Sequence, residues 1–284
     1  MRGVKAWRVT GTVAIVLVMI IAGIQTWSMA VQQRTGSSWA YDRPIHRVHL
    51  ATGSASVRVR VGREGHVVVH QRVDWMVRKP MVSTTVVDGV LDVAMQCRLV
   101  LPFADFGCGA EFELEVPAAT EVTGSITSGD VQVEGLSGEV RMELTSGQLM
   151  LTDTSGDVTV HATSGLVRGD KLSAERVTAG MVSGNVNLNF AKAPREVDAT
   201  ATSGAVELTL PKGSRYAISS RIGSGSGQIE PLLQDAASPN RVHAAVTSGS
   251  LSITPSLLPE PSEPAQPSEA PMNPMDPMPP MPAR

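Results

Sequence analysis

Ser128-Gly129-Asp130-Val131-Gln132-Val133 is followed at nine-residue intervals by Ser137-Gly138-Glu139-Val140-Arg141-Met142, Ser146-Gly147-Gln148-Leu149-Met150-Leu151, Ser155-Gly156-Asp157-Val158-Thr159-Val160 and Ser164-Gly165-Leu166-Val167-Arg168. The first four units place apolar side chains two apart with a mostly polar residue between them, and Gly169 breaks the second apolar position of the fifth. Period-two alternation puts the apolar set on one face of a β-strand and the polar set on the other. Glycine tolerates backbone angles that a Cβ resists, so each Ser-Gly predicts a corner. The serine hydroxyl can bond to backbone at that corner. One such strand cannot bury its apolar face alone, but a pile of them can.

The unit continues with wider spacing at Ser183-Gly184, Ser203-Gly204, Ser226-Gly227 and Ser248-Gly249. Later copies are 19 to 23 residues apart. The spacings fit a β-solenoid with two strands and two corners per coil of about 18–20 residues. The pairs at Ser128, Ser146, Ser164, Ser183, Ser203, Ser226 and Ser248 then share one edge. Ser137 and Ser155 share the other. On that second edge later coils carry inserts near 171–173, 192–194, 211–213 and 231–240. A three-sided coil satisfies the nine-residue spacing equally well.

Outward from the repeat, residues 45–119 are less regular. Val57-Arg58-Val59-Arg60-Val61 and Val90-Leu91-Asp92-Val93 alternate between Gly62, Gly65 and Gly89. This predicts hairpins or a meander opening the 45–254 ectodomain, ahead of the 120–254 stack. Cys97 and Cys108 flank a loop-like stretch, and a disulfide between them is expected if the segment lies outside the membrane. Two free thiols are the alternative.

Residues 9–31 contain no charged side chain, and Arg2, Lys5 and Arg8 precede them. That length of apolar chain spans a bilayer as one helix, and flanking positive charge stays inside. The expected layout is a cytoplasmic stub at 1–8, a single-pass helix at 9–31, a linker at 32–44 and everything beyond outside the cell membrane. A cleaved signal peptide ending near Ser28-Met29-Ala30 is the competing reading. Residues 255–284 carry dense proline and methionine, which opposes helix and sheet, and are expected to be a disordered tail.

The repeats that carry Ser128-Gly129-Asp130-Val131 and Ser155-Gly156-Asp157-Val158 resemble the bacterial "putative adhesin" family of β-strand repeat proteins, a domain of unknown function. The resemblance covers roughly 45–254. It implies an all-β surface domain with no established reaction, commonly preceded by a transmembrane helix.

No residue is expected to serve catalysis, a cofactor or a metal. Aspartate follows Ser-Gly only at Asp130 and Asp157, too sparsely for a calcium ladder. His66 and His70 are four apart and could share a strand face, whereas His46 and His49 could not. Asp198, Glu207 and Glu230 are the carboxylates nearest to a glycosidase-like arrangement. Arg168-Gly169-Asp170 could form an exposed turn. A net charge of −3 gives no general attraction to nucleic acid. The expected partners are the membrane, through the N-terminal helix, and an unknown extracytoplasmic macromolecule. Self-assembly into an envelope structure, or an accessory part in envelope-stress signalling, are the alternatives.

Overall fold

The computed structural model describes Met19 and residues 33–75, 79–97 and 108–256. The expected stub, the expected transmembrane helix apart from Met19, and most of the Pro/Met-rich tail lie outside the described residues. Among the described residues no helix is long and apolar enough to cross a membrane.

Thirteen strands follow one another: β1 Gln33–Tyr41, β2 Arg47–Val61, β3 Val67–Trp75, β4 Met81–Val87, β5 Val90–Gln96, β6 Gly109–Val116, β7 Glu121–Glu134, β8 Val140–Thr152, β9 Val158–Leu172, β10 Arg176–Phe190, β11 Glu196–Leu210, β12 Ala217–Ile229 and β13 Arg241–Pro255. Among the described residues a 3₁₀ turn, Pro231–Leu233, lies between β12 and β13. The long strands are each a whole coil bent at its Ser-Gly pair, so one coil has two sides. Register advances from Val122 to Val140 to Val158, then to Val177 and Val197. These steps of 18 to 20 residues give the coil length expected from the Ser-Gly spacing.

The two inner faces form one continuous core. Val140, Leu149, Val158 and Val206 are all buried, as are their counterparts in neighbouring coils. Burying a side chain of this size stabilises by about 1.5–3 kcal/mol. Outward rows carry cross-coil pairs, such as Arg47 Nη2 to Glu121 Oε2 at 2.6 Å and Asn187 Nδ2 donating to Glu207 Oε2 at 2.9 Å. Such exposed pairs add roughly 0–1 kcal/mol each and mainly reinforce the register.

Three features depart from the sequence expectation. First, the coils do not stack wholly in chain order, because β13 lies between β11 and β12. The insert at 231–240 allows this by carrying the chain back along the second edge. There Leu233 and Tyr216 are buried, the Tyr216 N–H donates to Leu233 O at 2.8 Å, and the Ser238 hydroxyl donates to Arg215 O at 2.7 Å.

Second, the opening region is more than a meander. β2 is already a complete coil, parallel to β7. The next coil outward is split between β5 and β6, both parallel to β2. β4 caps one side through an antiparallel hairpin with β5, turning at Asp88-Gly89, where φ is 49° and 73°. Two successive positive φ values match the twist of a two-residue hairpin. β3 and then β1 add antiparallel strands to the other side. The polar stretch expected as a linker at 32–44 therefore contains β1, which is exposed on both faces.

Third, the last repeat is offset. Ser224, rather than Ser226, stands beside Ser248, and Gly225 beside Gly249. The run Ser224-Gly225-Ser226-Gly227 can be read in two registers of equal parity. Ile218 and Ile222 select the earlier one by lining up with buried Val242 and Val246. Gly227 then takes an inner position, where Ile222 fills the space a Cβ would occupy.

Candidate functional site

The corner column is the most regular feature of the stack. Gly129, Gly147, Gly165, Gly184, Gly204, Gly249 and Gly225 all have φ between 124° and 147°. A Cβ on Gly147 would sit 1.9 Å from Gly129 O, and one on Gly165 would sit 1.9 Å from Gly147 O. The glycines are therefore needed twice, for their backbone angles and for the approach of one coil to the next. Ser128, Ser146, Ser183, Ser203 and Ser248 line the exposed corner beside them, and Ser164 is half-buried. The residue before each serine is mostly threonine, giving an exposed hydroxyl row at Thr127, Thr145, Thr163, Thr202 and Thr247. The second edge is built differently. Gly138 and Gly156 are buried and lack positive φ, but a Cβ on either would meet a backbone oxygen at 2.1 or 2.0 Å.

Cys97 and Cys108 form a disulfide. Thr52 pairs with Met95 and Ala55 with Ala110, so Cys97 and Gly109 both align with Ser54. Ser54 in turn pairs with Ser128. The disulfide thus closes the split β5/β6 coil in the same column as the Ser-Gly corners. The sequence carried no sign of this, since the alignment exists only after β5 and β6 have both paired with β2.

The other candidate residues are dispersed. His66 precedes β3, and its Nδ1 lies 2.8 Å from Asp42 Oδ1. His70 faces outward on β3, in register with Ser38 on β1 and Glu113 on β6. The two histidines therefore do not converge; Asp42 neighbours His66 through a side-chain contact, and strand pairing sets Glu113 beside His70. Glu113 is held toward Arg60 Nη2 at 3.1 Å. Arg60 gains a raised pKa from its hydrogen bond to Glu115 and from Glu113. Ser38, His70 and Glu113 share a groove of about 360 Å³, but Glu113 is oriented toward the cation and not the imidazole.

Asp198 lies before the corner of its coil and Glu207 after it, so they occupy opposite outer faces. Glu230 lies beyond β12 at the second edge. No two of these carboxylates form a facing pair. Arg168-Gly169-Asp170 is not a turn, because it lies within β9. Gly169 is buried against Leu172 and Leu188, and Asp170 accepts a bond from Asn189. Among the described residues no three His, Cys, Asp or Glu side chains group as metal ligands.

One wide groove crosses the outer face from β7 to β11. It measures about 530 Å³ and is lined by Ser125, Glu143, His161 and Thr200, with Gly180 at its floor. The His161 ring lies against Gly180, where a Cβ would come within 3.3 Å of Cδ2. The arrangement offers hydroxyls, one carboxylate and one imidazole to a surface partner.

The sequence matches the Toastrack DUF4097 family over residues 92–254, more than half of the chain. The chain belongs to the Toastrack DUF4097 family. The Toastrack match begins within β5 and runs through β13, leaving β1 to β4 outside it. It agrees with the resemblance to β-repeat adhesins read from the Ser-Gly units. Solved structures similar to this Toastrack chain include a "putative cell adhesion protein" from Clostridium sporogenes, 14% identical, with TM-score 0.40 and coverage of 79% of this chain and 100% of that one. A "putative adhesin" from Bacteroides fragilis is 11% identical, with TM-score 0.37 and coverage of 78% and 97%. A "Putative lipid binding protein" from Parabacteroides distasonis is 10% identical, with TM-score 0.27 and coverage of 78% and 97%. No curated protein matches the sequence.

Proposed function

We propose that this protein is a membrane-anchored, extracytoplasmic Toastrack module that acts by surface contact with another macromolecule and not by catalysis. The observation that carries the reading is the filled interior. Inner rows of Val, Leu, Ile and Met are buried along the stack, so recognition falls to the outer faces, the corner column and the ends. A rigid parallel stack holds those outer groups at a fixed repeat of about 4.8 Å, which suits an extended partner better than a small molecule. The Cys97–Cys108 disulfide supports an oxidising compartment. The uncharged stretch at 9–31, with Arg2, Lys5 and Arg8 before it, supports a single-pass anchor with the N-terminus inside.

The test is alkaline carbonate extraction combined with surface labelling. Thr178→Cys on the outer face of β10 gives an accessible thiol. The chain should stay with the membrane after carbonate, and an impermeant maleimide should label Cys-substituted protein on intact cells. Release by carbonate, or labelling only after lysis, would refute the anchored extracytoplasmic reading.

A further inference from the structure

We propose that the β12 end of the stack pairs with the β12 end of a second copy, so that two chains meet tip to tip. The proposal rests on the anchored reading for its consequence at membranes, though not for the pairing itself. β12 is the last strand of the sheet, and its outer edge has no hydrogen-bonded neighbour among the described residues. A free edge is a template for another strand unless it is guarded by charge, proline, a bulge or inward-pointing charged residues. β12 contains no proline, and its one charged residue is Arg221, on the outer face beside Ala245. Its inner row is Ile218, Ser220 and Ile222, then Gly227 and Ile229 after the corner. The three isoleucines are only half-buried, although the row behind them on β13 is fully buried. The core therefore ends in a half-covered apolar rim.

Three candidates could cover this rim, and the sequence and fold favour a second copy. The chain's own tail leaves from the end of β13, close to β12. Prolines in 257–284 recur so often that no proline-free run exceeds three residues, which prevents a strand ladder. The opposite end of another stack fits poorly. That end is stepped, because β1 and β3 extend one side further than β4 extends the other, and β1 begins two residues after the 9–31 segment. β12 spans both sides of the sandwich level with itself. A two-fold axis across the stack sets both halves of β12 antiparallel to their mates and buries isoleucine against isoleucine.

In such a pair the stack axes run in opposite directions. Ten strand spacings of about 4.8 Å make each stack roughly 50 Å tall, so the two anchors lie about 100 Å apart at opposite ends. The pair therefore links two facing membranes, and the adhesion is homophilic.

The test uses the full chain. In detergent, sedimentation should show a dimer, and Ser220→Lys, which sets an inward charge in the rim, should weaken dimerisation at least ten-fold. Thr178→Lys, on the lateral face, should leave it unchanged. Ser220 is already exposed, so the lysine leaves the fold intact, as an unchanged circular dichroism spectrum would verify. Reconstituted in liposomes, the wild type should cluster vesicles and Ser220→Lys should not. Co-flotation with the liposomes reads anchoring separately. A monomer in detergent, or dimerisation unchanged by Ser220→Lys, would overturn the pairing. Chains that float without clustering vesicles would overturn the membrane-linking role while leaving the anchor reading intact. Clustering of protein-free vesicles by the chain would assign the tip to lipid and overturn the homophilic reading.

Discussion

A Cβ placed on Gly204 would lie 1.8 Å from the carbonyl oxygen of Gly184 in the neighbouring coil. The φ of Gly204 is 134°, in a region that L side chains rarely adopt. Gly204→Ala therefore meets both strain and collision, and should destabilise by about 3 kcal/mol or more in urea unfolding. Gly109 has open space around its Cβ direction and no positive φ. Gly109→Ala should change stability by about 1 kcal/mol or less. Equal effects at the two positions would refute the close-approach account of the corner column.

Leu208 is buried and the adjacent Glu207 is exposed on the opposite face of the same strand. Leu208→Ala should cost about 2–5 kcal/mol, whereas Glu207→Ala should cost at most about 1 kcal/mol. Denaturant midpoints at constant m-value measure both. A larger loss at Glu207 would reverse the assignment of the faces.

The disulfide joins β5 to β6 across the corner of a split coil. Replacing Cys97 and Cys108 by alanine removes an 11-residue cross-link, which the loop-entropy relation values at about 3 kcal/mol. Hydrogen exchange should rise first in β4, β5 and β6 and least in β9 to β11. Uniform loss of protection along the stack would contradict the coil-by-coil stability expected of a repeat protein.

Burial pushes the Tyr216 hydroxyl up to about 12, with nearby Ser214 opposing the shift slightly. In the unfolded chain a tyrosine titrates near 10. Between those values the folded state holds a proton that the unfolded state has lost. Stability should then fall as pH rises from about 10 to about 12, and be indifferent to this group below that window. Tyr216→Phe should flatten the decline, which unfolding free energies measured across the window would show. A slope unaffected by Tyr216→Phe would place the hydroxyl in contact with solvent.

Legibility from the sequence varies along the chain for physical reasons. Ser128 to Ser164 could be read because nine residues are half a coil, and the alternation of Val131 with Gln132 or Val158 with Thr159 needs no distant partner. Ser224 and Ser226 could not be separated, because a shift of two residues preserves both the Ser-Gly pattern and the inner face. Ile222 opposite Val246 resolves them, and that contact spans 24 residues. The placement of β13 inside β12 was likewise hidden, since parallel order depends on which coil the returning chain meets first. β1 reads as a polar linker because it buries neither face. The neighbours of His70 and Glu113 come from three strands distant in sequence, so their grouping on one outer face could not be anticipated.

The central claim is that in-register coils stack at one strand spacing from β7 to β13. Spin labels on Gln132→Cys and Ser252→Cys, the native cysteines being joined to each other, test it by pulsed electron resonance on labelled chains diluted in excess unlabelled chain, so that only distances within one chain are read. Gln132 on β7 and Ser252 on β13 face outward in one row, five strand steps apart. A single distance near about 24 Å, broadened only by the label arms, is predicted from the strand spacing. A distance beyond about 40 Å, or several populations, would contradict the stack.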